Sequence, residues 1–304
     1  PRPRNPRRAL ARRAPAAKKE RMVRLTVLGS GSSGNSALIT TGRATLLIDA
    51  GLSAKQIQVR LEAAGHTLDQ LDGILLTHEH QDHTGALEVL SGRLPLRLYC
   101  TPLTQEHLLG TLKFRSPPAW KLISTGSPFE VRDLRIESFP VPHDAVDPVG
   151  YVIADEESRL GVLSDVGFVT NLIKDRLRGS DSLFVEANYD TQLIEADTKR
   201  PWATKQRIMS RHGHLSNDQA AELVEALAHP GLRHVILGHL SDDCNDPARA
   251  IRRIQEPLHR LGIKDTRVLC AERRACTETL EVAHRRQVHA PAPDPAAAAQ
   301  MRLL

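Results

Sequence analysis

The residues best suited to chemistry are three histidines and an aspartate in Thr-His-Glu-His-Gln-Asp-His, residues 77–83. The apolar run before them predicts a buried strand, and the run after them predicts a helix. His78 and His80 leave the strand end two positions apart and point the same way, while Asp82 and His83 turn back from the helix. Each metal ion needs about three protein ligands and an open position for water, so this spacing predicts two adjacent metal sites.

A second candidate is the glycine-rich segment GSGSSG at residues 29–34, which matches the spelling of a dinucleotide-binding loop. Such a loop holds a pyrophosphate because its last glycine opens a helix. Here residues 35–41 alternate like a strand, and the strand-like run ATLLID follows. The order strand, turn, strand therefore predicts that the chain binds no nucleotide cofactor.

The elements that must position these residues lie in residues 22–284, which predict one α/β domain without an internal linker. Short apolar strands come first, followed by a helix with Ser53 as N-cap and Gly65 after its end. A helix is also expected at TGALEVL directly after the histidine run, and another over residues 216–228, opened by Ser216 and Gln219 in capping-box spacing. Chemistry-bearing residues are thus expected where strands end.

The charge of the chain is concentrated at its start. The formal net charge is +5, but residues 1–21 hold nine Lys and Arg and one acid, which leaves about −3 for the remainder. Residues 1–21 and the Pro/Ala-rich residues 285–304 are expected to be disordered tails. For the first, a nucleic-acid-binding arm or sequence upstream of a start at Met22 are the alternatives.

Hydropathy and cysteine usage indicate the compartment. No segment has the length of a signal peptide core or of a transmembrane helix, so no membrane contact is expected. The four cysteines form no C-x-x-C pair and are too few for a disulfide framework. We therefore expect a cytoplasmic protein with reduced thiols. The oligomeric state is left open.

The H-x-H-x-D-H run, preceded by Asp-Ala-Gly at 49–51, resembles the signature of the metallo-β-lactamase-fold metallohydrolases. That resemblance implies an αββα four-layer sandwich of the α/β class with two metals at one edge. It also implies further ligands downstream, and matching residues stand in FPVPHDA, GVLSDVG and VILGHLS. By resemblance, the first metal is held by His78, His80 and His143, and the second by Asp82, His83 and His239. Asp165 bridges them, and Asp49 orients a ligand from behind.

The fold hosts lactamases, thioesterases, lactonases, phosphodiesterases and nucleases, so the reaction has to be argued from the site. Two divalent ions, the carboxylates of Asp82 and Asp165 and a bridging hydroxide leave a charge of about +1, which favours an anionic group in the transition state. A phosphodiester oxygen fits this charge, but a lactam carboxylate would also be attracted, so charge alone does not decide. A sugar alkoxide also needs a proton donor to leave. His214, with Glu186 fixing its ring, resembles the Glu and His pair of the nuclease branch and is expected to be the general acid. A structural cap or a phosphate contact is the alternative.

Further segments narrow the resemblance to the WalJ/YycJ-type subgroup: SGSSGNS, VPHDAVDPVGY, EANYD, GHLSN and LGHLS. This resemblance covers roughly residues 22–275 and implies exonuclease activity on DNA from the 5′ end. Tyr189 departs from the histidine expected in such a run, which puts a metal or substrate role there in doubt. Cys244 is interpreted as a structural thiol.

We therefore expect a dinuclear metal-dependent hydrolase, a phosphodiesterase or 5′ exonuclease on DNA or RNA, with Asp82 orienting the hydroxide that bridges the metals. Hydrolysis of a lactam, lactone or thioester is the competing hypothesis. Histidine-rich ligation suits Zn²⁺, whereas nuclease relatives work with Mn²⁺, so the metal is left open between them.

In the predicted fold the glycine loop lies beside the metal edge. Its amides and polar side chains are expected to bind a substrate phosphate, or else the loop is a tight turn that needs small residues; the side chains are those of Ser30, Ser32, Ser33 and Asn35. The near-neutral to acidic core and the aromatic content of 3% point to contacts with nucleic acid through phosphates and ends.

Overall fold

The structure, a computed structural model, describes residues 22–283, whose strands form two seven-stranded sheets. In chain order the strands are β1 (Arg24–Gly29), β2 (Ser36–Thr40), β3 (Thr45–Ile48), β4 (Gly73–Leu75), β5 (Arg97–Cys100), β6 (Ala119–Leu122), β7 (Phe129–Val131), β8 (Leu134–Pro140), β9 (Val149–Ala154), β10 (Arg159–Leu163), β11 (Ser182–Glu186), β12 (His234–Gly238), β13 (Arg267–Cys270) and β14 (Leu280–Glu281). The α-helices are α1 (Ala54–Ala63), α2 (Gln81–Thr84), α3 (Leu87–Ser91), α4 (Pro102–Thr111), α5 (Asn171–Leu177), α6 (Thr191–Ala196), α7 (Trp202–Ile208), α8 (Asn217–Leu227) and α9 (Pro247–Arg260).

The first sheet has the strand order β14-β1-β2-β3-β4-β5-β6, and the second has the order β13-β12-β11-β10-β9-β8-β7. Strands β3 to β6 are parallel in the first sheet, and strands β10 to β13 are parallel in the second. Parallel strands end at the same edge of a sheet, so the loops that follow β3, β4, β10, β11 and β12 converge. These loops carry the predicted chemistry.

The core explains why the two sheets stack. Side chains alternate between the faces of a strand, so that Val27 of β1 and Ile236 of β12 point into a central core between the sheets. Leu28 and Leu237, one position further along these two strands, point outward. The outward face of the first sheet packs against α1, α3 and α4, and that of the second against α5, α8 and α9. The layers are helix, sheet, sheet and helix, which confirms the predicted αββα sandwich.

Several predicted local signals are confirmed. The Ser53 hydroxyl accepts a hydrogen bond from the amide of Gln56 at the start of α1. Ser216 and Gln219 form the predicted capping box of α8. The glycine-rich segment is followed by β2 rather than by a helix, which is the context that argued against a dinucleotide site.

The helix expected at TGALEVL is interrupted. The structure has α2 and α3 instead, because the amide of Ala86 donates to the carbonyl of Ala50. The carbonyl of Asp82, which that amide would meet in a continuous helix, accepts instead from the amide of Asn35. Backbone hydrogen bonds to neighbouring segments thus replace those of one helical turn beside the site.

The predicted tails, residues 1–21 and 285–304, lie outside the described residues, and so does His284 at the end of the predicted domain. Within residues 22–283, no helix has the length and apolar character needed to cross a membrane. Helices α5 and α6 and strands β6, β7 and β14 were not among the predicted elements; each is short.

Candidate metal centre

The predicted site residues meet at the shared sheet edge. Asp49 directly follows β3, Asp165 follows β10, Glu186 ends β11 and His239 directly follows β12. The histidine run follows β4, and His143 lies between β8 and β9. Donor residues from His80 to His239, 159 positions apart in the chain, therefore line one cavity of about 340 Å³.

Three of these residues have a left-handed backbone. Of the four non-glycine residues between 22 and 283 with positive φ, three are Asp49 (58°), Asp165 (51°) and His239 (54°). Such a conformation costs roughly 1–3 kcal/mol per residue and persists only where the surroundings enforce it. At each position it turns the chain sharply out of a strand, so that Asp165 and His239 reach the cavity and Asp49 reaches His83 from behind.

His78, His80 and His143 form the first donor group. Their ring centroids lie 4.6 to 5.2 Å apart. Nδ1 of His143 lies 3.0 Å from the carbonyl oxygen of Gly213, which can only accept, so this nitrogen carries the proton and leaves the Nε2 lone pair for a ligand. Burial lowers the pKa of His78 and His143, which favours the neutral form that binds metal.

A hydroxyl sets the tautomer of His78. Oγ1 of Thr77 donates to Oδ2 of Asp49 at 2.8 Å, so its lone pair accepts from Nδ1 of His78 at 3.0 Å. The Nε2 atom of His78 is then left with a free lone pair. It is buried and has no hydrogen-bond partner among the described residues. A buried acceptor of this kind is costly unless something binds it.

Asp82, His83 and His239 form the second donor group. Nδ1 of His83 is 2.7 Å from Oδ2 of Asp49, so its Nε2 faces the cavity, 3.0 Å from Oδ2 of Asp165. Nε2 of His239 is 3.2 Å from Oδ2 of Asp82 and 3.3 Å from Oδ1 of Asp165. Asp165 thus lies between both histidines.

The charges of the second group are mutually stabilised. Burial opposes ionisation, but the Asp165 and Asp49 carboxylates outweigh it and raise the pKa of His83. The Asp165 carboxylate likewise raises the pKa of His239 against burial. Burial alone would raise the pKa of Asp82, but hydrogen bonds from His239 and His83 outweigh it and lower this pKa.

Both groups fit a divalent metal ion. In each, the donor atoms lie within 4.8 Å of one another, and His78 and Asp165 join a further set with His83. Three imidazoles, or two imidazoles and a carboxylate, are usual ligand sets for such ions. The unpartnered Nε2 of His78 is the atom that a bound ion would satisfy. The described residues therefore hold the donor set of a metal-binding site.

Glu186 and His214 form a tight pair beside the second donor group. Oε1 of Glu186 lies 2.6 Å from Nδ1 of His214, and Oε2 accepts from the amides of Val166 and Leu215. Burial disfavours the imidazolium, but the Glu186 carboxylate outweighs it and raises the pKa of His214. Because Nδ1 is engaged, Nε2 is the nitrogen left for a substrate. His214 lines the cavity.

The four predicted phosphate-binding side chains divide into two pairs. Ser30 and Asn35 are buried, and their polar atoms bind the protein itself: the Ser30 hydroxyl accepts from the amide of His239 and donates to Oδ1 of Asn35. The Asn35 amide lies 3.2 Å from Nε2 of His83. These two residues therefore support the metal ligands, a correction to their expected role. Ser32 and Ser33 are exposed and line the surface cavities.

Several site residues had no signal in the sequence argument. Thr77 opens the histidine run and controls His78, and Asn188 lies 2.9 Å from Nδ1 of His239, two positions after Glu186. Arg200 and Arg207 line the cavity from α7 and the loop before it. Thr77 and Asn188 could have been found by position alone, because each is part of a motif at a strand end. The arginines come from a segment with no motif.

Cys244 and Tyr189 do not face the chemistry. Both are buried and pack against Ile194 in a small apolar cluster. Burial raises the pKa of Cys244 and of Tyr189, the latter to about 12. Neither side chain belongs to a donor group among the described residues.

The fold and the donor set are those of a metallohydrolase class, and comparison with known proteins agrees. Residues 44–240 match the beta-lactamase superfamily domain, and the chain belongs to this superfamily. It is 34% identical over 241 residues to exodeoxyribonuclease YycJ of Bacillus anthracis, covering 78% of this chain and 89% of that protein. It is also 34% identical to exodeoxyribonuclease WalJ of Streptococcus pneumoniae, covering 72% of this chain and 82% of that protein.

Solved structures share the fold at low identity. The metallo-beta-lactamase fold protein YhfI from Bacillus subtilis has a TM-score of 0.62 at 16% identity, covering 84% of this chain and 99% of that chain. Unliganded yeast PDE1 has a TM-score of 0.63 at 13% identity, with coverage of 84% and 99%. These likenesses establish the metallo-β-lactamase fold.

Proposed function

We propose that this protein is a dinuclear metal-dependent phosphodiesterase that removes nucleotides from DNA as a 5′ exonuclease. The observation that carries the proposal is the Glu186–His214 pair, 2.6 Å apart, at the wall of the cavity into which both metal donor groups point. The similarity to proteins named as exodeoxyribonucleases supports it.

The chain's own residues divide the work of metal binding. His78, His80 and His143 would hold one ion, Asp82, His83 and His239 the other, and Asp165 would contact both. When bound, such a pair of ions supplies a water of lowered pKa and stabilises charge on phosphate oxygens. Asp49, Thr77, Gly213 and Asn188 orient the histidines from behind.

Two residues would act on the reacting groups. Asp82 lies at the rim of its donor group with a side chain one quarter exposed, so its carboxylate can accept a hydrogen bond from the attacking water and orient it. His214 is held by Glu186, which favours the imidazolium. From Nε2 it can donate a proton to the sugar oxygen as the bond to phosphorus breaks.

The leaving group distinguishes this reaction from its main competitor. A thiolate leaves without a proton, so a thioesterase gains little from a charged histidine at the cavity wall. An alkoxide does need one. Arg200 and Arg207 line the same cavity, but each is already ion-paired: Arg207 with Asp144, and Arg200 with Asp197 and Asp243. The charged histidine is therefore the feature that favours a phosphodiester over a thioester.

The test uses the full chain, stripped of metal and reloaded with Zn²⁺ or Mn²⁺. It is offered 5′-phosphorylated single-stranded DNA, RNA, a chromogenic cephalosporin and a thioester, with His80→Ala as the inactive control. We expect mononucleotides to be released from the 5′ end of DNA by the wild type and not by the control. Turnover of the cephalosporin or thioester without nucleotide release would contradict the proposal, and equal activity of His80→Ala would identify a contaminant.

A further inference from the structure

The metal-centre cavity continues into a surface groove that leads away from it. Ser32 and Asp82 line both the central cavity and a neighbouring cavity of about 510 Å³. That cavity shares Ser33, Leu52 and Ser53 with a third one of about 460 Å³. Together these two outer cavities form one groove, which passes the glycine-rich loop and the start of α1.

Arginines collect at the far end of this groove, where Arg60, Arg273 and Arg274 line it. Arg274 is exposed and forms no ion pair with any residue between 22 and 283. Arg273 is partly compensated, because its guanidinium binds Asp242 at 2.6 Å. Asp82, at the opposite end, belongs to the metal donor group. The far end therefore carries a net positive charge.

Arg60 is fixed in place by the glycine loop. Its Nη1 donates to the carbonyl of Leu28 at 2.6 Å and to the carbonyl of Arg273 at 3.1 Å. Both acceptors are neutral, so neither compensates its charge. A Cβ at Gly29 would come within 2.3 Å of Nη1. Because glycine has no side chain, the Arg60 guanidinium can pass over this residue to reach the Leu28 carbonyl. This gives Gly29 a role that its likeness to a cofactor motif did not suggest.

We propose that this groove binds the phosphates of the single DNA strand next to the scissile bond, with Arg274 and Arg60 contacting a phosphate several nucleotides away. The inference rests on the proposed function and adds the path of the substrate to it. Continuity with the central cavity and opposite charge both support a polyanionic occupant. Five of the seven donor residues are buried and His80 and Asp82 are half-buried, so the strand that is cut has to enter the cavity as a single strand.

The groove lining also predicts how the strand is held. It consists of serines, glycines, two glutamines, a leucine, an aspartate and arginines, and holds no aromatic side chain among the described residues. Bases therefore have no stacking platform, and binding is to the backbone. Such binding depends on salt and is indifferent to sequence.

The experiment compares Arg274→Glu with Arg43→Glu in the full chain. Both positions are exposed and both changes lower the net charge by two, but Arg43 lies in the turn between β2 and β3, at the sheet end opposite the site. For a twelve-nucleotide single strand, we expect Arg274→Glu to raise KM about 5–10-fold at low salt with little change in kcat, and Arg43→Glu to match the wild type. The ratio of variant to wild-type KM should shrink as the substrate is shortened to a dinucleotide.

Equilibrium binding of the same labelled strand separates this inference from the proposed function. Arg274→Glu should weaken binding and lower the slope of log K against log salt by about one, as expected for a lost phosphate contact. If the wild type binds the strand, Arg274→Glu weakens that binding, and no nucleotide is released, then the groove is confirmed as the binding site and the proposed function is contradicted. If Arg274→Glu binds and cleaves the strand like the wild type, or Arg43→Glu loses as much, the groove is not the path.

Discussion

Asp49→Asn should weaken both metal groups without unfolding the protein. The Asp49 carboxylate accepts from the Thr77 amide at 2.8 Å, the Thr77 hydroxyl at 2.8 Å and Nδ1 of His83 at 2.7 Å. Asparagine tolerates the left-handed backbone at this position and keeps one oxygen for the Thr77 amide. Its NH₂ group then faces His83 and the Thr77 hydroxyl, where the carboxylate oxygen had been.

Both histidine tautomers should change as a result. A donor opposite Nδ1 of His83 moves the ring proton to Nε2, which points into the cavity. The Thr77 hydroxyl, now receiving a hydrogen bond, turns its own proton to Nδ1 of His78, with the same consequence there. Loss of such supporting partners typically costs 10–100-fold in metal affinity, and we expect this for each donor group.

Calorimetric titration with Zn²⁺ or Mn²⁺ measures the two affinities, and dialysis followed by metal analysis checks occupancy. Thr77→Val distinguishes the effects on the two histidines. It removes the hydroxyl that binds His78 and leaves the Asp49–His83 contact in place, so it should weaken metal binding at the His78 site only. Asp155→Asn is the control, since this residue accepts from backbone amides in the turn after β9, away from the metal centre. Wild-type affinity at both sites in Asp49→Asn would refute the tautomer argument.

Three further outcomes are expected. Saturation with metal at 100 times its dissociation constant should add about 2.7 kcal/mol per site and raise Tm by several degrees, and chelation should reverse the shift in a thermal melt. His214→Ala should lower kcat on DNA about 10²–10⁴-fold with both ions retained, and should lose less on a 4-nitrophenyl phosphodiester, whose leaving group needs no proton; loss of an ion would make His214 a ligand instead. Gly51→Ala should destabilise by about 1–3 kcal/mol or more in denaturant titration, because its Cβ would fall 1.6 Å from the Asp82 carbonyl, whereas Gly110→Ala, an open position within α4, should stabilise by up to about 1 kcal/mol.

The α/β class was predictable because several local signals agreed, whereas the αββα layering was predicted from the resemblance to the metallo-β-lactamase-fold metallohydrolases. Alternating strands, the Ser53 cap and the capping box at Ser216 each describe only a few residues, yet all are confirmed. The exception beside the site has a tertiary cause. The helix after the histidine run breaks because the amide of Ala86 binds Ala50, and no local propensity records such a contact.

The sequence predicted which residues lie at the candidate site better than it predicted what each side chain contacts there. The donor residues were predicted from the histidine run and from the resemblance, and the structure brings them together at the edge where the parallel strands end. The interpretation of the glycine loop was less accurate, because a serine and an asparagine in a turn have the same appearance whether they face solvent or a neighbouring strand end. Ser30 and Asn35 proved to be buried supports of His239 and His83.

The left-handed residues show what the sheet edge provides. A strand that ends in ordinary backbone would carry Asp165 or His239 onward along its own axis, away from the other donors, and would carry Asp49 away from His83. With φ between 51° and 58°, each chain turns at once: Asp165 and His239 reach the cavity, and Asp49 supports His83 from behind. This conformation costs roughly 1–3 kcal/mol per residue. It is sustained by the parallel sheets on either side and by hydrogen bonds such as the one that the His239 amide donates to the Ser30 hydroxyl.

A bound metal ion would be stabilised by the same backbone geometry, so the backbone strain and the metal affinity are coupled. Removing the Ser30 hydroxyl in Ser30→Ala should therefore weaken metal binding at the His239 site more than at the His78 site, and equal loss at both, in the same calorimetric titration, would contradict the coupling.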